Sequence, residues 1–209
     1  MPGDDLATLS RKDVLAAAPR LDSRHYDPSG SLVGNMLQGT INRNAREQLL
    51  PWLLDRWKDQ EALAFSLTFS ANGHGAIGGA FRPDLSRRDD LQAIVRRLHR
   101  DISHVVYGHA ARRYGRRLGF LAVWEGFQRR HPHCHGLLEI CKSRPQFEQW
   151  VDQVFRSHPF IGEYDLQPCA DIRGWLRYLL KFRDKGDLLQ DINWEACHAP
   201  GHRAPCSRR

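Results

Sequence analysis

The apolar positions change their period several times along the chain, and each change marks an element. From Ala64 to Ser70, Phe65, Leu67 and Phe69 alternate with Ser66, Thr68 and Ser70, the two-residue period of a strand covered on one face. After a glycine-rich stretch, ANGHGAIGGAF, the spacing lengthens. Leu91, Ile94, Val95, Leu98, Ile102, Val105 and Val106 recur at helical intervals and predict a helix from about Ser86 to Tyr114. Two strands follow in quick succession, LGFLAVWEG over 118–126 and HPHCHGLLEI over 131–140, and the short polar turn between them suits an antiparallel pair. RPQFEQWVDQVFRSH then reads as a helix, IGEYDLQ as a short strand and DIRGWLRYLLKF as a compact helix from about Asp171 to Phe182. Residues 1–60 read as an accessory helical segment, with a turn-rich stretch RHYDPSGS and a helix from about Arg43 to Lys58 that Pro51 must kink or restart. Residues 186–209, ending CHAPGHRAPCSRR, read as a flexible tail.

The order strand, helix, strand, strand, helix, strand, helix predicts an α+β fold over residues 61–185. It is that of a split β-α-β (ferredoxin/RRM-like) sandwich, a central antiparallel sheet with helices packed on it. A chain of 209 residues, 41% hydrophobic, is long enough to bury such a core. No apolar run approaches the length of a membrane span, and the start MPGDDLATLSRKD lacks the order of a secretion signal, so the expected location is the cytoplasm, away from any membrane. Five cysteines, an odd number at irregular spacing, fit structural thiols better than a disulfide framework.

Charge changes the picture more than composition does. The chain carries a net charge of +7, and between Arg82 and Arg130 twelve arginines face five acids, so that region alone accounts for the excess. The arginines come in pairs, among them Arg112-Arg113, Arg116-Arg117 and Arg129-Arg130, and the planar guanidinium fork suits phosphate oxygens. A nucleic acid is the expected partner, with these six arginines as candidate contacts.

Candidate chemistry sits in two places. His131, His133 and His135 alternate with Pro132, Cys134 and Gly136, and a strand sends every second side chain to one face, about 7 Å apart. Two neighbouring imidazoles on one face can share a cation, with Leu138 and Ile140 on the other face as anchors to the core. Glu125, at the end of the preceding strand, can turn onto the same face, and one carboxylate beside two imidazoles suits Mg²⁺ or Mn²⁺ better than zinc. On the last helix, Ile172, Trp175, Leu176, Leu179 and Leu180 fall within one arc, and Tyr178, Lys181 and Gly174 fall on the far side. A tyrosine and a lysine three residues apart are helical neighbours, so an ammonium can sit beside the phenol, and covalent catalysis by tyrosine becomes available. Gly174 offers either a close approach to the helix or relief of packing.

The strand FSLTFS, the strand HPHCHGLLE preceded by Glu125, and the helix carrying YLLK stand in the order and spacing of the three motifs of the HUH endonucleases. Over roughly residues 64–183 the chain resembles that family, and most closely its rolling-circle replication initiators of plasmids and small phages. The resemblance implies that His133 and His135 bind a divalent metal, Mg²⁺ or Mn²⁺, with Glu125 as third ligand and His131 as a spare. It implies Tyr178 as a single nucleophile assisted by Lys181, with no second tyrosine nearby on that helix for repeated transfer. The implied activity is a site-specific nick in single-stranded or origin DNA that leaves a 3′-hydroxyl and a 5′-phosphotyrosine bond. A GxxxxGK[ST] phosphate loop is absent from the sequence, so unwinding is expected from a host helicase and extension from a host polymerase.

Other readings stay open at this point. A single-strand transposase or a mobilisation relaxase would use the same three motifs. A non-catalytic nucleic-acid-binding module would use the same fold to stack bases, although no RGFGFVxF-like strand occurs. A zinc site is the third possibility, drawing on Cys197, His198, His202 and Cys206.

Overall fold

The alternation in ALAFSLTF becomes strand β1 (Ala62–Phe69), an inner strand of a four-stranded antiparallel sheet. The computed structural model describes residues 32–70, 83–127, 131–181 and 187–200. β1 pairs with β3 (His133–Glu139) on one side and β4 (Ile161–Pro168) on the other, and β2 (Phe120–Glu125) completes the sheet beyond β3. The strand order β2-β3-β1-β4, with every pair antiparallel, is the split β-α-β arrangement expected from the order of elements.

The two periods in the sequence assign the two faces of the sheet. Phe65 and Leu67 of β1, Phe120 and Trp124 of β2, and Cys134 and Leu138 of β3 point to one side. There they meet Leu91, Ile94, Val95, Leu98 and Ile102 of α2 (Arg88–Tyr107) and Phe147, Val151 and Phe155 of α4 (Arg144–Ser157). The predicted helix over 86–114 is two helices. Gly108, at φ 54°, breaks it after α2, and a short α3 (His109–Tyr114) follows.

The opposite face is covered as well, by segments read from sequence as peripheral. α1 (Leu32–Trp57) begins earlier than expected and runs through Pro51 as one helix; it buries Leu49, Leu53 and Trp57 against Ala62 and Ala64 of β1. α5 (Ile172–Leu179), shorter than the expected 171–182, adds Leu176 and Leu179 to the same layer. The expected tail is folded over residues 187–200. Asp187 caps a short α6 (Leu188–Asp191), Ile192 bridges to Val123 and His198 to Phe120 along the outer edge of β2, and Arg88 pairs with Asp191 at 2.8 Å. Leu188 N–H also donates to buried Asn42 of α1 at 3.0 Å, joining α1 and α6. Covering an edge strand in this way satisfies backbone groups that would otherwise invite another chain. Residues 201–209 lie outside the described residues.

Two histidines, His99 and His158, are buried, and His198 is half-buried. Burial holds His99 down to about 3, and His158 and His198 to about 4; His99 donates its Nε2–H to Leu118 O (2.9 Å) and its ring lies 4.8 Å from that of His198. In the unfolded chain each titrates near 6.5, so below that pH the unfolded state takes up protons that the folded state refuses. Their contribution to stability is complete above about pH 6.5 and declines as the pH falls toward 4. The urea midpoint is therefore expected to drop steadily from pH 7 to pH 4.5; a midpoint constant over that range contradicts the assignment.

Candidate metal centre and neighbouring tyrosine

In the β2–β3 hairpin, Glu125 lies opposite His133 and Val123 opposite His135, while β1 places Thr68 and Ser66 across from the same two histidines. Directly paired residues of an antiparallel ladder project to the same face. Glu125, His133, His135 and Ser66 therefore converge at one end of the face covered by α1 and α5, as the alternation of the histidines predicted. Leu138 and Ile140 are buried on the opposite side.

His135 Nε2 lies 3.2 Å and His133 Nε2 3.5 Å from the same carboxylate oxygen, Glu125 Oε2. One donor atom from each residue can be chosen so that all lie within 4.8 Å of one another. Adjacent ligands held about 2.1 Å from an octahedral ion sit about 3 Å apart, close to the two carboxylate–imidazole distances, so the cluster could hold a metal ion. Among the described residues this is the cluster of histidine, cysteine and acidic groups with that property. Each ring is tethered at its other nitrogen. His135 Nδ1 is 2.7 Å from Ser66 Oγ and His133 Nδ1 is 3.0 Å from the carbonyl oxygen of His131, which turns both Nε2 atoms toward Glu125. The His131 carbonyl is brought into place by the hairpin turn, where Gly126 (φ 83°) accepts the His131 N–H at 3.2 Å; a Cβ on Gly126 would collide with the His131 carbonyl. His131 thus contributes its backbone, and its side chain is not part of the cluster.

α5 brings in the other candidate groups. Asp171 accepts from Gly174 N–H at 2.8 Å and starts the helix, and a side chain at Gly174 would strike that carboxylate, which makes packing the reason for the glycine. Trp175 donates its indole N–H to Gly136 O of β3 at 2.9 Å and stacks on Tyr178, with ring centres 5.1 Å apart. Tyr178 is 37% exposed and its ring centre lies 5.5 Å from that of His135. Lys181, just past the helix, places its Nζ 3.0 Å from Glu125 Oε1 and 4.0 Å from the centre of the Tyr178 ring. Burial pulls the Lys181 ammonium down, but hydrogen bonds with Glu125 and Tyr178 outweigh it and raise its pKa above the ordinary lysine value. One carboxylate thus faces the imidazoles with Oε2 and the ammonium with Oε1.

The arginines do not join this site. α2 starts beside it, where the Arg88 guanidinium lies 4.2 Å over the Phe127 ring, and a helix of its 20 residues carries the chain about 30 Å away. Arg112 and Arg113 lie beyond its far end on α3, Arg116 sits over Tyr107 at 4.3 Å, and Arg117 donates to Ala111 O at 3.3 Å. These four arginines thus lie away from the histidines; Arg129 and Arg130 lie outside the described residues. The zinc reading is not supported either. Cys197 is fully buried with its Sγ 3.9 Å from Ala122 O, its thiol is pushed up to about 12 by burial, and His198 lies against His99. His202 and Cys206 lie outside the described residues.

Two residues of the site escaped the sequence reading, Ser66 and Trp175. Ser66 was visible only as one polar position in an alternating strand, and Trp175 as one apolar position of a helical arc. Ser66→Ala removes the partner of His135 Nδ1 while leaving every candidate ligand in place. Mn²⁺ affinity, read by calorimetry, is expected to fall roughly 10- to 100-fold; an unchanged affinity means Ser66 does not orient the ring.

No protein-family model, no curated protein and no solved structure matches this chain.

Proposed function

We propose that this chain is a metal-dependent nickase and strand transferase acting on single-stranded DNA, of the kind that initiates rolling-circle replication of a plasmid or phage. The observation that carries the reading is the meeting of Tyr178 and Lys181 with the Glu125-His133-His135 cluster, although about forty residues of chain separate the tyrosine from the histidines. Glu125, His133 and His135 are the groups that would hold Mg²⁺ or Mn²⁺, and the ion supplies charge neutralisation and polarisation of a phosphate oxygen.

The residues of the chain divide the remaining work. Tyr178 is partly exposed beside the cluster, so its Oη can reach a phosphate there, attack phosphorus and displace the 3′-oxygen of the preceding nucleotide. The phenol gives up its proton, the departing oxygen gains one, and the strand is left as a free 3′-hydroxyl and a 5′-phosphotyrosine ester. Because one phosphate ester replaces another, a later 3′-hydroxyl can reverse the linkage without an external energy source. Lys181 supplies positive charge at the nucleophilic oxygen, and Trp175, fixed to the backbone of β3, supports one face of the phenol ring.

A base-stacking module of the RNA-recognition kind receives less support. Phe65, Phe120 and Trp124 of the sheet are buried beneath α2 and α4 and offer no platform. A pool of random-sequence, 5′-labelled and 3′-labelled single-stranded oligonucleotides, incubated with the protein and Mn²⁺, separates the readings. A band of protein joined to the 3′-labelled fragments that survives denaturation is expected, because the tyrosine takes the 5′-phosphate side; binding with no such band refutes the proposal.

A further inference from the structure

The metal cluster has a neighbour of different character. A cavity of about 770 Å³ opens at the same end of the sheet, lined by Thr68, Phe69, Leu85, Phe127, Pro132 and His133 among others. His133 belongs to both, as a candidate ligand and as part of the cavity wall. The volume falls within the range of about 300–1,000 Å³ typical of small-molecule sites. Among the described residues its apolar walls come from Phe69, Leu85, Phe127 and Pro132, with Thr68, Ser86, His131 and His133 supplying polar edges.

These walls are held in place. Phe127 lies under the Arg88 guanidinium at 4.2 Å, and that guanidinium is itself fixed by Asp191 at 2.8 Å. Phe69 and Phe127 both rest on buried Trp124, with ring centres 5.3 and 5.6 Å from it. The result is a slot with aromatic side chains in its walls and the candidate metal centre at its rim. We infer that the cavity receives one nucleobase of the bound strand, unstacked from its neighbours, next to the phosphate at the metal centre. This inference rests on the nickase reading and deepens it, since it gives the site a means of selecting the base beside the cut. Stacking on aromatic walls needs no hydrogen bonds, and an apolar slot excludes a second charged phosphate.

The probes are thymidine 5′-monophosphate, deoxyadenosine 5′-monophosphate and deoxyribose 5-phosphate, each titrated with Mg²⁺ present. Binding is followed through the NMR signals of the Leu85 methyls and the Phe69 and Phe127 rings. At least one nucleotide is expected to shift these signals and to bind roughly 5- to 100-fold tighter than the sugar phosphate, the range for stacking one base. Phe127→Ala, which removes a wall, and Leu85→Trp, which fills the space, are both expected to erase that advantage and leave sugar-phosphate binding unchanged. Equal binding of nucleotides and sugar phosphate overturns the base site while the metal centre stands, as does an advantage that survives in both variants. Binding of neither class overturns the inference together with the phosphate contact beneath it. Tyr178 does not line the cavity. A failed covalent-adduct assay with normal nucleotide titrations therefore refutes strand transfer alone.

Discussion

Tyr178→Phe is expected to form no covalent protein–DNA adduct and to lose nicking by at least about 10³-fold, with binding of single-stranded DNA nearly unchanged. The change deletes one oxygen and leaves the ring, so its stack on Trp175 and its contact with His135 are kept. Packing and folding are therefore poor explanations for any loss, and the side chain is already 37% exposed. In the proposed reaction the removed oxygen is the atom that bonds to phosphorus. Adduct formation is the decisive readout because a water-activating metal centre would cut DNA without ever joining it to protein. Nicking by Tyr178→Phe at the original rate would leave the metal cluster intact as an observation and assign its chemistry to hydrolysis.

How far the sequence anticipated this arrangement depends on whether a signal is local or long-range. The histidine strand was legible because period two is a local property, and Glu125 because a short hairpin leaves its partner strand little freedom of register. Tyr178 and Lys181 were legible as neighbours on one helix, and only folding shows them over the histidines. The arginine pairs were legible only as local charge. Where Arg112 to Arg117 stand relative to the histidines depends on the direction α2 takes across the sheet and on Gly108, which starts a separate short helix before Arg112. The role of the chain ends was hidden in the same way. Trp57 and Cys197 look like members of a peripheral helix and a polar tail, yet both are completely buried on the face that carries the site. Their partners, Ala62, Ala64, Leu121 and Val123, are the small or branched residues on the second face of strands whose bulkier face was easier to recognise.

Replacing His133 and His135 together with alanine is expected to abolish Mn²⁺ binding at this site and, with it, metal-dependent nicking and adduct formation. Glu125 carries one negative charge, Lys181 one positive charge and the imidazoles none when neutral, so the cluster is balanced as it stands. A divalent ion adds two positive charges, enough to offset a phosphodiester and a phenolate meeting at one place. Glu125 alone cannot hold that ion tightly, because its Oε1 is already engaged by Lys181 at 3.0 Å and a single carboxylate oxygen is a weak anchor. The loss of affinity should therefore exceed the roughly 10- to 100-fold assigned to removing an orienting partner. The fold should persist, since both side chains lie at the open end of the sheet and outside either apolar cluster. Far-UV dichroism and calorimetry with Mn²⁺ separate the two effects: a folded variant that binds the ion as tightly as the parent removes the histidines from the metal centre, and EDTA-resistant nicking by the parent removes the metal from the reaction.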